Sequence, residues 1–148
     1  AIRNLMDDML ETMYEAPGIG LAAIQIGVPK RVIVIDLASK SEKKQPMYFV
    51  NPEIVSSSEN DATYEEGCLS VPNQFAEIDR PDKCHVKFLD YNGKEQFLKA
   101  EGLLATCIQH EMDHLEGILF IDYLSKLKKN MIVKKLSKQK KSLERIVV

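Results

Sequence analysis

His110-Glu111-Met112-Asp113-His114 sets two imidazoles four residues apart, with a carboxylate beside the first. In an α-helix, at about 1.5 Å rise per residue, such residues stack about 6 Å apart along one face, where two imidazoles leaning together can share a metal ion. Glu111 then flanks the metal without ligating it. A general base must stand there to take a proton from a water whose pKa the metal lowers towards roughly 7. The pentapeptide also occurs by chance, and helical context is what strengthens it.

A catalytic site of this kind needs a third protein ligand and an open fourth position. The extended pattern H-E-x-x-H-x-x-G-x-x-H is followed as far as Gly117, but Phe120 stands where its last histidine belongs. Glu116 is too close to the pair and Glu144 lies in a basic tail, so the third ligand must come from upstream. The candidates are Cys68, Cys84, His85 and Cys107. Cys107 shares the helix face but is seven residues from His114, about 10 Å along the axis, and reads as packing or pocket lining. Cys84 and His85 sit within Cys84-His85-Val86-Lys87-Phe88, an ordinary strand sequence. Cys68 precedes the turn-prone Val71-Pro72-Asn73 in what reads as an open, irregular backbone, and is the best remaining ligand.

Three segments occur in order: Gly18-Ile19-Gly20-Leu21-Ala22-Ala23-Ile24-Gln25, Glu66-Gly67-Cys68-Leu69-Ser70 and His110-Glu111-Met112-Asp113-His114. In their joint occurrence the chain resembles the peptide deformylases, from its first helix through Asp122-Tyr123-Leu124-Ser125. That family usually carries a short N-terminal segment ahead of this point. The resemblance implies that Cys68, His110 and His114 bind one divalent metal ion, Fe(II) in life, with Zn, Ni or Co as replacements. It implies that Glu111 is the general base and acid, and that Gln25 and the backbone N–H of Leu69 hydrogen-bond the formyl oxygen as it becomes an oxyanion. Substrate contacts carried over in the same way are Gly18, Ile19, Gly20, Tyr64, Glu66, Leu103 and Cys107, with Tyr64, Leu103 and Cys107 at positions that line the family's methionine pocket. Some relatives carry an arginine where this chain has Gln74-Phe75.

The activity implied is removal of the N-formyl group from formyl-methionyl nascent peptides, with release of formate. Two other readings stand beside it. One is an H-E-x-x-H metallopeptidase acting on internal peptide bonds. The other is a non-catalytic metal domain with an RNA-binding tail, although structural sites normally use four protein ligands and three are found.

These residues need elements to hold them. Ile2, Leu5, Met6, Met9, Leu10 and Met13 recur at helical spacing and predict an amphipathic helix ended by Ala16-Pro17-Gly18. It has no visible cap, which suggests that preceding sequence is missing, processed away or was never in the chain. Arg31 to Leu37 and Met47 to Val55 read as strands, separated by a polar loop from Ser39 to Gln45, and Ser56 to Asp61 reads as a turn. Cys84 to Asp90 and Glu95 to Ala100 flank Asn92-Gly93, a strong hairpin signal because both residues tolerate positive φ. Leu103 to Leu115 is apolar on more than one face and is closed by Gly117, as a central buried helix would be. A last helix starts near Ser125, with Leu127, Met131 and Leu136 expected inward. The expected architecture is α+β: antiparallel sheets around a central metal-binding helix, with a C-terminal helix.

At 148 residues the chain fits one domain, residues 1–148. Its longest run of large aliphatics, Val32-Ile33-Val34-Ile35, is far short of the roughly 20 needed to span a bilayer. There is no basic n-region followed by an apolar h-region, so the chain reads as cytoplasmic and bacterial in type, an organelle after transit-peptide removal being the other setting. Three cysteines make a disulfide framework improbable and favour reduced thiols or a metal ligand. From Lys126 onward stand nine of the 20 bases and one of the 22 acids, a tail at +8, leaving 11 against 21, a body at −10. Such polarity suggests contact between the tail and the ribosome or its RNA; a solvated helix face is the alternative.

Overall fold

The computed structural model describes residues 1–38, 42–68 and 70–147, with side chains as far as 138. In chain order it comprises α1 (Ile2–Glu15), β1 (Gly20–Ala22), a 3-10 turn (Ala23–Ile26), β2 (Val32–Ile35) and β3 (Met47–Ser57). Then come β4 (Asp61–Cys68), β5 (Val71–Pro81), β6 (Lys83–Leu89), β7 (Glu95–Glu101), α2 (Gly102–Leu115), a second 3-10 turn (Phe120–Tyr123) and α3 (Lys126–Val147).

Strands β1-β2-β3-β6-β7, in that order, make an antiparallel five-stranded sheet. Every residue of β2 is buried because both faces of the sheet are covered. Ile33 and Ile35 join Phe49, Val86 and Phe88 against Ala105, Cys107 and Ile108 of α2. Val32 and Val34 join Leu21 and Val50 against Met6, Met9 and Met13 of α1. Each such methionine, buried in full, contributes about 1.5–3 kcal/mol. Ile2 is 37% exposed and lies outside that stripe. The five-stranded sheet therefore forms the wall against which the central helix α2 is held, with its buried run from Ala105 to Glu111 and His114.

The β6–β7 hairpin forms as expected, but its turn does not use two positive φ angles. Among the described residues of the loop only Gly93 does, at 80°, while Asp90 closes the loop by bonding Asn92 N and Lys94 N. α2 stops where Gly117, at φ 76°, takes a left-handed conformation that a side chain would resist, and Ile118 N bonds back to Asp113 O.

Two expectations are corrected. Glu65 to Cys68 and Val71 to Asn73 are not open, irregular backbone: β4 and β5 pair from Asp61↔Pro81 to Cys68↔Val71 as a separate two-stranded sheet, with one register shift between Gly67 and Cys68. Its buried face is built partly from charged groups, Glu66 and Arg80, so the apolar alternation that announces a strand is weak. Second, Leu127 and Met131 face outward, 71% and 52% exposed, while Ile132 packs with Leu136 on Val71, Ile78, Phe120 and Ile121. The helix is rotated relative to the expectation because Ile132, not Met131, meets that small core.

Candidate metal centre and cavity

Helix α2 sets His110 and His114 one turn apart, and their Nε2 atoms are 3.1 Å from one another. At the end of β4, Cys68 brings its Sγ to 3.2 Å from His114 Nε2. All three donor atoms lie within 4.8 Å of one another. One thiolate and two imidazoles at this spacing suit a first-row divalent ion.

The electrostatics agree with that fit. Burial would raise the Cys68 thiol, but hydrogen bonds from His110 and His114 outweigh it and bring it down to about 5, so the sulfur is a thiolate. Burial would lower the His110 imidazole, but Cys68 and Glu66 raise it to about 10. The space between the donors thus favours positive charge, which is what a cation requires.

His110 is itself held from behind. Its Nδ1–H donates to Glu66 Oε1 at 2.8 Å, turning Nε2 towards the other donors. Burial raises the Glu66 carboxyl, yet the bonds from His110 and Arg80 hold it below the usual range. Arg80, only 4% exposed, donates to both oxygens of Glu66, at 2.7 and 3.0 Å. Its NH1 donates to Asp113 Oδ2 at 2.7 Å, and that oxygen also accepts from the Tyr123 hydroxyl at 2.6 Å. The Tyr123 ring lies under the guanidinium, 4.9 Å from it. Arg80, Asp113 and Tyr123 escaped sequence reasoning, since their partners stand 10 to 33 residues away with no local spacing to announce them.

Glu111 points elsewhere. Its Oε1 is 4.0 Å from His110 Nε2, and its buried Oε2 has no hydrogen-bond partner among the described residues. Burial raises the carboxyl, and despite the lowering effect of His110 and His114 it stands at about 7. Gly20 leaves it room: a Cβ there would lie 2.9 Å from Glu111 Oε1. Gln25, on the first 3-10 turn, accepts from Ala22 N through Oε1 at 2.8 Å. That bond assigns the amide and directs Nε2 towards Ser70 Oγ at 2.9 Å and Cys68 Sγ at 3.4 Å.

A cavity of about 750 Å³ opens beside these groups. Gly18, Ile19 and Gly20 line one part of it, Tyr64 and Glu66 another, and Leu103 and Cys107 of α2 a third, with Cys68, His110 and Glu111 also on its wall. Gln25 touches Cys68 without being part of that lining. Leu69, expected to supply a backbone N–H, lies outside the described residues. Cys84 is buried in β6. Phe75 also lines the cavity, 64% exposed, its ring filling the space over Gly67.

A thiolate and two imidazoles converging beside a cavity of about 750 Å³ and a buried carboxyl, whose Oε2 has no partner among the described residues, define the class as a metal-dependent hydrolase. The polypeptide deformylase family profile matches residues 1–130, and the chain belongs to that family. It is 71% identical over 146 residues to the peptide deformylase of Pelagibacter ubique, covering 99% of this chain and 84% of that one. It is 60% identical over 141 residues to that of Rhizobium meliloti, covering 95% of this chain and 81% of the relative. Among solved structures, the peptide deformylase of Ehrlichia chaffeensis matches with a TM-score of 0.90 at 44% identity, over 95% of this chain and 84% of that one. A structure of an Ehrlichia chaffeensis peptide deformylase in complex with actinonin matches with a TM-score of 0.88 at 46% identity, over 93% and 83%.

Proposed function

We infer that this chain, acting as one domain, hydrolyses the terminal formamide of formyl-methionyl polypeptides, releasing formate and a free α-amine. The observation that carries the reading is the Glu111 carboxyl, whose buried Oε2 has no partner among the described residues, beside the Cys68–His110–His114 donors on the wall of one cavity. Cys68, His110 and His114 would hold a divalent ion, which would supply Lewis acidity towards the formyl group and a water acidic near neutral pH.

The remaining steps belong to the chain. Glu111 accepts the proton of the attacking water and delivers it to the departing amine; a carboxyl near 7 suits both transfers. Gln25 offers Nε2 hydrogens on the Cys68 side, where charge develops on the formyl oxygen. The Leu69 N–H is the second donor in this reading. Gly18 to Gly20 let the substrate backbone approach, and Tyr64, Leu103 and Cys107 receive the methionine side chain.

For the ion we propose Fe(II), on the family resemblance; the donor set also accepts Zn, Ni or Co. Protein purified without oxygen and of known metal content should release formate from formyl-Met-Ala-Ser. Cleavage of casein without formate release would favour the metallopeptidase reading instead.

The setting we propose is the cytoplasm. Among the described residues no helix is long and apolar enough to cross a membrane. The basic α3 is, in this reading, a tether to ribosomal RNA. Lys128, Lys134, Lys135 and Lys138 are exposed, whereas Ile132 is buried, so charge reversal tests the tether without disturbing packing. Changing these four lysines to glutamate should abolish sedimentation with ribosomes at low salt while formate release from free peptides persists. Binding by the parent should weaken steeply as salt rises, because phosphate contacts release counterions. Equal sedimentation of parent and variant removes the tether.

A further inference from the structure

A glutamine serves as an oxyanion donor only if something fixes which way its amide faces and where it stands. Two bonds do this for Gln25. On its own side of the site, the Ala22 N–H donates to Oε1 at 2.8 Å and settles the orientation of the amide. Across the site, Nε2 donates to Ser70 Oγ at 2.9 Å, and the same nitrogen stands 3.4 Å from Cys68 Sγ. An amide NH₂ has two hydrogens. With Ser70 taking one, the other is directed to the cysteine side, where the formyl oxygen takes up charge. The bond to Ser70 joins parts of the fold that are otherwise separate. Gln25 sits on the short 3-10 turn that follows β1 of the five-stranded sheet, while Ser70 lies 45 residues away between β4 and β5 of the two-stranded sheet. Ser70 is exposed and is not part of the cavity lining, so its side chain acts through Gln25 rather than on the peptide. Its backbone has a different job: Ser70 N–H donates to Cys68 Sγ at 3.4 Å.

We propose that Ser70 is a positioning residue whose hydroxyl oxygen accepts one Gln25 Nε2 hydrogen and so aims the other at the formyl oxygen in the transition state. The proposal rests on the deformylase reading of the site. Oxyanion stabilisation comes from donors that are in place before charge develops. Without the hydroxyl, the long Gln25 side chain spreads over more rotamers and must be ordered again as the reaction proceeds, which weakens its effect. Alanine at position 70 removes that tether alone, because the backbone N–H on the Cys68 sulfur remains. The formyl oxygen gains its negative charge only on the way to the transition state, so the loss should fall on kcat and spare KM.

The test is a double-mutant cycle on wild type, Ser70→Ala, Gln25→Leu and the doubly substituted protein, all metal-replete, assayed for formate release from formyl-Met-Ala-Ser. Gln25→Leu by itself should lose about 10²-fold or more in kcat. Ser70→Ala should lose about two- to tenfold in kcat, the usual contribution of one hydrogen bond, with KM unchanged. In the Gln25→Leu background the same substitution should cost nothing further, because no amide is left to aim. Ser70→Ala should also keep its ion through dialysis. A further loss of equal size in the Gln25→Leu background would mean that the hydroxyl acts apart from the glutamine, and overturns the proposal. So does an unchanged kcat in Ser70→Ala, a loss confined to KM, departure of the ion, or a Gln25→Leu protein as active as the parent. No formate from the metal-replete wild type would instead sink the deformylase reading, and the proposal with it.

Discussion

Glu111→Ala should keep its metal and lose turnover on formyl-Met-Ala-Ser by about 10²- to 10⁴-fold, the usual contribution of a positioned general base. The carboxyl does not belong to the donor triad. Its Oε1 stands 4.0 Å from His110 Nε2, and its Oε2 has no partner within the described fold. A buried carboxyl left unmatched costs stability, so its retention needs a use outside the ground-state structure. At a pKa of about 7 it takes and returns a proton with little penalty in either direction. Metal analysis after dialysis, run beside the formate assay, separates the roles. Activity within about tenfold of the parent would show that another group moves the proton. Loss of the ion along with activity would show that Glu111 helps to hold it.

The second large effect is on metal content. Cys68→Ala should lose the ion on dialysis, whereas Cys84→Ala and Cys107→Ala should retain it. The three thiols differ in environment. Cys68 is drawn down to about 5 by the two imidazoles against the opposing effect of burial. Burial raises Cys84 in its strand and Cys107 inside the cavity wall, so both are neutral thiols near pH 7. Only a thiolate is a good ligand, and only the Cys68 sulfur among them stands with His110 and His114 within 4.8 Å. With that sulfur gone, two imidazoles remain, fewer protein ligands than catalytic sites of this kind use. A metal-replete Cys68→Ala protein would mean that another side chain closes the coordination.

What could be read from the chain was whatever repeats over a few residues. The His110–His114 pair follows from the helical period, α1 from its methionine spacing, and the β6–β7 hairpin from Asn92-Gly93 between apolar runs. An axial distance along one helix set Cys107 aside without knowledge of the fold, whereas Cys68 was favoured for an open backbone that is in fact the end of a paired strand. Tertiary structure decided what depends on partners distant in sequence. The β4–β5 pair stayed hidden because its inner face buries an ion pair, Glu66 with Arg80, where a strand signal expects hydrophobic residues. The chain from Tyr123 and Asp113 through Arg80 to Glu66 and His110 joins two strands, α2 and a 3-10 turn, and no spacing within any one of them announces it. The rotation of α3 was decided by which residue met a small core of Val71, Ile78, Phe120 and Ile121, leaving Leu127 and Met131 in solvent. That the buried Thr106 hydroxyl has no partner among the described residues could not be foreseen at all, because whether a buried donor finds an acceptor is settled by every element packed around it.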